Sequence, residues 1–337
     1  MIVSPQAHST GTRSGISWDE TACLLCGSDR RWPVVEAPDT STGGRGLRFV
    51  VVQCEDCGLC YTCPRPDRRS IAQFYPTDYR PHRSKRDARQ ETRDAGTKPS
   101  RVSRLVSRVC STSTWSLITR LRGRPCVERR ALPWHGQGRL LDFGCGGGSF
   151  LARMRNQGWH VTGLDVSAET VERIRSELSV RVLTGTLPHP ELEAGSFDVV
   201  TMWHSLEHVH DPLGVLRAAY DLLAPGGRLM VAMPNIDSAA FHWFGPAWFA
   251  LDLPRHLTHF APPTLRAMLE AAGFRVARLR LIRHSDWLRS SAKLASQIGR
   301  TSFWQRQLAC KPIARSVAWA CYTAGQSDCM LAIGEKK

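Results

Sequence analysis

From residue 139 onward, short apolar runs alternate with amphipathic stretches. "RLLDFG" (139–144) reads as a strand and "SFLARMRNQG" (149–158) as a helix closed by Gly158. "HVTGLDV", "VRVLTG" and "FDVVTMWH" are the next strands, with "SAETVERIRSEL" a helix between the first two of them. "PLGVLRAAYDLLAPGG" predicts a helix with a proline start and a Gly-Gly stop, followed by the strand "RLMVAMPN". "PPTLRAMLEAAGF" adds a helix, and "RVARLRLI" and "CMLAIGEKK" the last two strands. Strands and helices alternating at this spacing predict an α/β fold: a Rossmann-like, seven-stranded, mostly parallel sheet with helices on both faces. The pattern is interrupted at 236–262 and at 287–327, the second segment carrying Trp287, Trp304 and Trp319.

Before residue 139 the pattern is weaker. Residues 1–20 are polar and read as a flexible tail. Residues 21–66 are rich in cysteine and end in Pro64 and Pro66. Residues 67–134 form a basic, partly helical linker. In "RVSRLVSRVCSTSTWSLITRL", Val102, Leu105, Val106 and Val109 share one helical face, which suits packing on the main domain and also a membrane surface. The organisation predicted is tail, cysteine module, linker and a main domain over 135–337.

The formal charge of +15 matters once it is located. Residues 64–134 carry 18 basic and 6 acidic side chains, whereas 135–282 carry 13 and 14. The excess therefore sits in the linker and the C-terminal segment. A nucleic-acid groove would be built into the core, so a nearly neutral core argues against one. A basic linker at 80–130 and the segment 287–327 suit contact with an anionic membrane or a lipid-linked substrate, and the linker suits equally a simply solvated segment. No apolar run of ~18 residues exists to span a membrane, and no basic-then-apolar signal opens the chain. These features predict a cytoplasmic protein.

Six of the 12 cysteines fall within residues 23–63. Cys23 and Cys26, then Cys54 and Cys57, make two C-x2-C pairs separated by 27 residues, with Gly27 and Gly58 directly after each pair. Two such pairs can close a tetrahedral thiolate site on structural zinc, giving a small zinc-ribbon-like module. Cys60 and Cys63 lie close enough to offer an alternative ligand choice.

"LLDFGCGGGSF" (140–150) ends an apolar run in an acid and then places glycines at 144, 146 and 148. A phosphate-binding loop would need Gly-Lys-Ser/Thr, and Gly148-Ser149-Phe150 has no lysine. A dinucleotide fingerprint would put Ser149 where Gly or Ala is needed and Asp142 near a pyrophosphate. A flat ligand with a positive centre and no phosphate fits better, because Cβ-free backbone lets it lie on the chain. Asp165, 21 residues after Gly144, can accept both hydrogen bonds of a ribose diol.

With these residues the chain resembles the class I S-adenosylmethionine-dependent methyltransferases. The matching stretches are "LLDFGCGGGSF", "VTGLDVS", "TGTLPHPELEAGSFDVV" and "LLAPGGRLMVAMPN", covering roughly 139–282 and the last strand. The resemblance implies that Asp142, Gly144 and Gly146 line the methionine part of the cofactor. It implies Asp165 for the ribose, and Thr186 and Leu187 near the adenine. Cys145, Gly148, Val166 and Trp203 belong to the same candidate cofactor set. The cysteine module with "CGLCYTCPRP" resembles the zinc-bearing segment of a bacterial subgroup, which includes C-methyltransferases of nucleotide-linked deoxysugars. Cys60 and Cys63 depart from that subgroup's C-G-aliphatic-aliphatic-Tyr-x-x-P-x-P pattern.

The acceptor side falls on "MWHSLEHVHDP". His204 directly ends its strand and is the first candidate for a base, since an imidazole titrates near ~6.5. Glu207 and His208 are further catalytic candidates that also suit bracing the following helix. Asn/Asp-Pro-Pro-Tyr/Phe, which holds a flipped base, is absent here. "NIDSAAFHWFGPAWFALDLPRHLTHFAPPT" reads as an aromatic substrate lid, in which Asp252, Arg255 and His256 are candidates for the acceptor's polar groups. The expectation is methyl transfer to O, N or C of a small molecule, such as a sugar, a nucleotide-sugar or another cell-surface or secondary-metabolite precursor. Two rival readings are a nucleic-acid-binding protein or RNA methyltransferase using the module and linker, and a non-catalytic scaffold of the same fold.

Overall fold

The structure, a computed structural model, describes residues 15–39, 46–75, 132–299 and 301–337. The helical face predicted over 102–109 and most of the tail and linker lie outside these residues. The front part holds β1 (Trp18–Asp19), β2 (Arg31–Pro38), β3 (Arg48–Cys54), β4 (Cys60–Thr62) and β5 (Arg65–Pro66). The main domain runs through β6 (Arg139–Phe143), α1 (Ser149–Arg155), β7 (His160–Asp165), α2 (Ala168–Leu178), β8 (Arg181–Thr184) and β9 (Phe197–Trp203). It continues with α3 (Pro212–Leu222), β10 (Leu223–Pro234), α4 (Ala239–Phe244), β11 (Thr258–His259), α5 (Pro262–Ala271) and β12 (Arg275–Ile282). Three helices, α6 (Ser285–Gln297), α7 (Phe303–Gln307) and α8 (Lys311–Thr323), precede β13 (Cys329–Glu335).

Seven strands form the main sheet in the order β12-β13-β10-β9-β6-β7-β8. β10, β9, β6, β7 and β8 pair in parallel, and β13 inserts antiparallel between β10 and β12. Strand side chains alternate between faces, so a doubly covered sheet needs apolar residues at every position. Leu141 and Phe143 join one buried cluster, with Val215, Leu216 and Ala219 of α3 and Leu265, Met268 and Leu269 of α5. Leu140 joins a second cluster, with Phe150 and Met154 of α1. The expected Rossmann-like sheet is present, with both faces buried.

Two elements differ from the sequence pattern. Helix α3 stops at Leu222, ahead of the Gly-Gly pair, and Leu223 already pairs with Phe197 before a register shift at Arg228. Pro225 explains this, because the residue before a proline is pushed out of the helical region. The Trp-containing segment 287–327 is mostly helical, α6 to α8, and the alanines 292, 295, 314 and 318 pack it closely onto the lid.

The cysteine-rich part does not form its sheet alone. Its four strands run β11-β4-β3-β2, and β11 comes from the lid, with Thr258 opposite Tyr61 and His259 opposite Cys60. Thr62 Oγ1 donates to the His256 carbonyl at 2.9 Å, and its N–H donates to the Leu257 carbonyl. One buried cluster then gathers Phe49, Val51 and Phe74 from the front, Trp248 and Leu253 from the lid, and Leu288 and Ala318 from the C-terminal helices.

The base of the sheet is fixed by Asp198, which is 5% exposed. Its Oδ2 accepts from the backbone N–H groups of Gln137 and Arg139, and the Arg139 guanidinium donates to both oxygens. Burial opposes the charge, but these donors outweigh it and hold the carboxyl below the usual carboxylate range. Asp198→Ala is expected to lower stability by about 2–3 kcal/mol, measured by urea unfolding at neutral pH. Because the folded pKa is depressed, the contribution is present above the ordinary carboxylate value and fades as pH falls below it. The wild-type advantage over the variant should therefore shrink in acid.

Candidate active site

β6 and β9 are neighbours, while the chain leaves them toward opposite edges of the sheet. Ligands of open α/β sheets bind beyond the strand ends at such a reversal. The glycine loop lies there. Gly144, Gly146 and Gly148 have φ of 70°, 50° and 69°, a left-handed conformation that side chains rarely adopt. A Cβ on Gly144 would also fall 2.5 Å from Ser205 Cβ. The alternate spacing thus reflects a backbone that turns at every second residue. Asp142 is 2% exposed and accepts from Thr201 Oγ1 at 2.7 Å. Asp165 ends β7, and its two oxygens accept the N–H groups of Gly146 at 2.8 Å and Ser167 at 3.0 Å. Asp165 is thus tied to the loop backbone through both carboxylate oxygens.

The other cofactor candidates divide between core and surface. Cys145 is buried, and its thiol is pushed up by burial and by the charges of Asp142 and Asp165. Leu187 is buried beside half-buried Thr186, and Val166 is 73% exposed just past β7. Trp203 sits edge-on to Phe150 at 5.4 Å inside the sheet's second cluster.

His204 follows Trp203 directly and has φ 57°, one of three non-glycine residues at positive φ among the described residues. Left-handed backbone costs a non-glycine residue of order 1 kcal/mol or more. The next residue packs against the glycine loop, Ser205 Oγ donating to the Phe143 carbonyl at 3.0 Å. His204 therefore stands at the junction of β6 and β9. Its Nδ1 lies 3.6 Å from Glu207 Oε1, and its ring is edge-on to Trp287 at 5.3 Å. Trp287 in turn stacks on His284 at 4.4 Å.

Glu207, His208 and His256 converge, with ligand atoms all within 4.8 Å of one another. Burial pushes the Glu207 carboxyl up, opposed by the two histidines. Burial and His256 push His208 down to about 4, and burial pushes His256 down as well. Arg255 is 3% exposed. It donates in a fork to Asp252 at 2.6 and 3.1 Å, to the Phe74 carbonyl at 2.9 Å and to Asp39 at 3.4 Å. Burial alone would raise Asp252, but that fork holds it at about 2. Arg255 and Asp252, candidates for the acceptor's polar groups in the sequence, are thus engaged with each other and with the front part.

The four cysteines of the two pairs meet. Cys23 Sγ lies 3.4 Å from Cys57 Sγ, and Cys26 Sγ lies 3.5 Å from Cys54 Sγ. Gly27 and Gly58 share φ 76°, and their N–H groups donate to the Cys23 and Cys54 carbonyls at 2.9 and 3.0 Å. Two identical knuckles carrying four thiols at this separation match the donor set and size of a four-thiolate zinc site. Cys60 and Cys63 are buried outside the group.

Sequence reasoning passed over several neighbours of the site. Tyr75, whose hydroxyl lies 3.0 Å from His208 Nδ1, sits at the edge of the basic linker with no motif around it. His284 and Trp287 are brought to His204 by the turn into α6. A histidine and a tryptophan three residues apart just past a strand were the available signal. No described helix is long and apolar enough to cross a membrane.

The chain is similar to known methyltransferases. A family model described as a methyltransferase domain matches residues 98–279, more than half of the chain. A ubiquinone biosynthesis O-methyltransferase of Xanthomonas axonopodis pv. citri (strain 306) is 36% identical over 171 residues, 47% of this chain and 71% of that protein. The enzyme of that name from Xanthomonas campestris pv. campestris (strain B100) is 37% identical over 183 residues, 51% of this chain and 75% of its own. Among solved structures, a SAM-dependent methyltransferase from Archaeoglobus fulgidus is similar over 67% of this chain and 100% of that chain, with 19% identity and a TM-score of 0.45. With a seven-stranded sheet, a glycine loop at its switch point and relatives at this level, the chain belongs to the class I S-adenosylmethionine-dependent methyltransferases.

Proposed function

We propose that this methyltransferase acts on a hydroxyl oxygen of a small-molecule acceptor, such as a sugar, a nucleotide-linked sugar or a comparable metabolic precursor. The observation that carries the reading is His204, held at the end of β9 beside the glycine loop by an unusual backbone conformation. The O-methyltransferase names of the 36–37% identical relatives favour oxygen over nitrogen or carbon.

The loop residues fit S-adenosylmethionine: three Cβ-free turns present bare backbone, and Asp142 and Asp165 flank it with carboxylates. Asp142, Gly144, Cys145, Gly146 and Gly148 would hold the methionine end, Asp165 and Val166 the ribose, and Thr186 and Leu187 the adenine. Trp203 would support this floor from beneath. When bound, S-adenosylmethionine would supply an electrophilic methyl group on a sulfonium for the acceptor oxygen. His204 takes the proton that the acceptor hydroxyl gives up. Glu207 Oε1 lies 3.6 Å from its Nδ1. Proximity and orientation supply most of the rate.

Calorimetric titration of S-adenosylmethionine into the full chain is expected to show one site, which Gly146→Asp abolishes by adding a carboxylate where the backbone must stay bare. No binding by folded wild type would sink the assignment of the loop. His204→Gln should leave cofactor affinity within about twofold and reduce kcat by ~10²–10⁴, measured with an acceptor found by screening hydroxylated metabolites. An unchanged kcat would remove His204 from the mechanism.

We further propose that Cys23, Cys26, Cys54 and Cys57 hold structural zinc. A closed four-thiolate site leaves no position for substrate. It contributes on the order of 10 kcal/mol to folding in modules of this size. Cys54→Ser is expected to lose zinc by elemental analysis and to lower the thermal midpoint, with proteolysis starting in residues 15–75. Unchanged metal content in that variant would overturn the assignment.

A further inference from the structure

The buried cluster at the end of β9 is more than a brace. We propose that Glu207, His208 and His256 form a binding site for a divalent transition-metal ion, tying the lid to the sheet and leaving coordination positions open for an acceptor oxygen. The use of those open positions rests on the hydroxyl-acceptor reading above; the binding of the ion does not.

Three observations carry it. Glu207 is 1% exposed, and neither of its side-chain oxygens accepts a hydrogen bond from the described residues. A buried carboxyl without a donor either keeps its proton or needs a cation beside it. Next, the nearest imidazole nitrogens stand too far for hydrogen bonds. His204 Nδ1 is at 3.6 Å and His256 Nε2 at 4.0 Å from Glu207 Oε1. Two donors at ~2.1 Å from one tetrahedral ion lie about 3.4 Å apart, so Glu207 and His256 need to close by only a few tenths of an ångström to share it.

The third observation is the orientation of the two rings. His256 Nδ1 lies 2.9 Å from the Ala250 carbonyl, and His208 Nδ1 lies 3.1 Å from the Arg255 carbonyl. A carbonyl only accepts, so each Nδ1 carries the hydrogen and each Nε2 keeps its lone pair. The Tyr75 hydroxyl lies near His208 Nδ1 as well and can accept from the same N–H. Metal-bound histidines are fixed in this way, with the far nitrogen donating to a carbonyl. The rings meet edge to face, 4.6 Å apart at 81°, so the two lone pairs approach from different directions. Asp252 Oδ2, 3.9 Å from His256 Nε2, adds negative potential, while the Arg255 guanidinium is turned to Asp252, Asp39 and Phe74.

The donor set selects the ion. One carboxylate and two imidazoles suit zinc, manganese, iron or cobalt; magnesium and calcium prefer oxygen alone. Glu207 and His208 come from the turn after β9, and His256 comes from the lid. The backbone already joins the two, Leu257 N–H donating to the Glu207 carbonyl at 2.8 Å. Three protein ligands leave at least one position open. An acceptor hydroxyl bound there would be held beside His204 and made more acidic by the ion.

The test uses the full chain with its cysteine site saturated by zinc. Cobalt(II) chloride is titrated in and followed by visible absorption and elemental analysis after gel filtration. One additional cobalt per chain is expected, with ligand-field bands and no thiolate charge-transfer band. Glu207→Gln and His256→Gln should each weaken it at least tenfold, with circular dichroism unchanged. His242→Ala, at an exposed histidine, should leave it as in wild type. Absence of a thiolate-free cobalt site in wild type overturns the proposal, and so does a site that survives both cluster substitutions. The wild-type stoichiometry decides even if a variant fails to fold. Calorimetry with S-adenosylmethionine on the same sample separates the two readings: intact cofactor binding without cobalt binding removes the ion alone.

Discussion

Arg255 reaches three separate stretches of chain from one buried position: Asp252 in the lid, Asp39 just past β2 and the Phe74 carbonyl near the start of the linker. A guanidinium taken out of water is tolerated only when its donors are matched in direction and charge. Here two carboxylates and a carbonyl supply that match. Because the partners belong to different parts of the molecule, the charge is satisfied only when those parts come together. The lid path, the front sheet and the turn after β9 all depend on this one arrangement. His256 is the next residue, so the same fork also sets the height of the imidazole above Glu207.

Much of the main domain was legible in the sequence because its physics is local. Apolar runs such as "LLDF" and "FDVVTMW" bury both faces of a parallel strand and read as such. The glycines at 144, 146 and 148 were legible for a similar reason: a turn at every second residue excludes side chains and leaves a mark. The cysteine pairs announced themselves through equal spacing and a shared following glycine, and the two knuckles have the same φ. The end of α3 was misjudged because the glycine pair is the more visible signal, while Pro225 acts through the residue before it.

What stayed hidden depends on contacts between distant stretches. β11 has only two residues, too few for any period, and its pairing with β4 joins the lid to the cysteine-rich part. Nothing in "DLPRHLTHF" distinguishes an arginine that binds a ligand from one that closes an internal ion pair. The positive φ of His204 carries no sequence signal either, since any residue is written there in the same way. Tertiary packing imposes that conformation, and the sequence records only the result.

The shared sheet has a bearing on how such a molecule can change over time. A front module whose sheet takes a strand from the lid cannot be exchanged like a bead on a string. Any replacement would have to present an edge that matches Thr258 and His259, a partner for Thr62's contacts with the lid, and a carboxylate where Asp39 meets Arg255. The lid is therefore inherited together with the cysteine knuckles. Diversification of this architecture is constrained to proceed by substitution within a joined pair of parts, not by shuffling them.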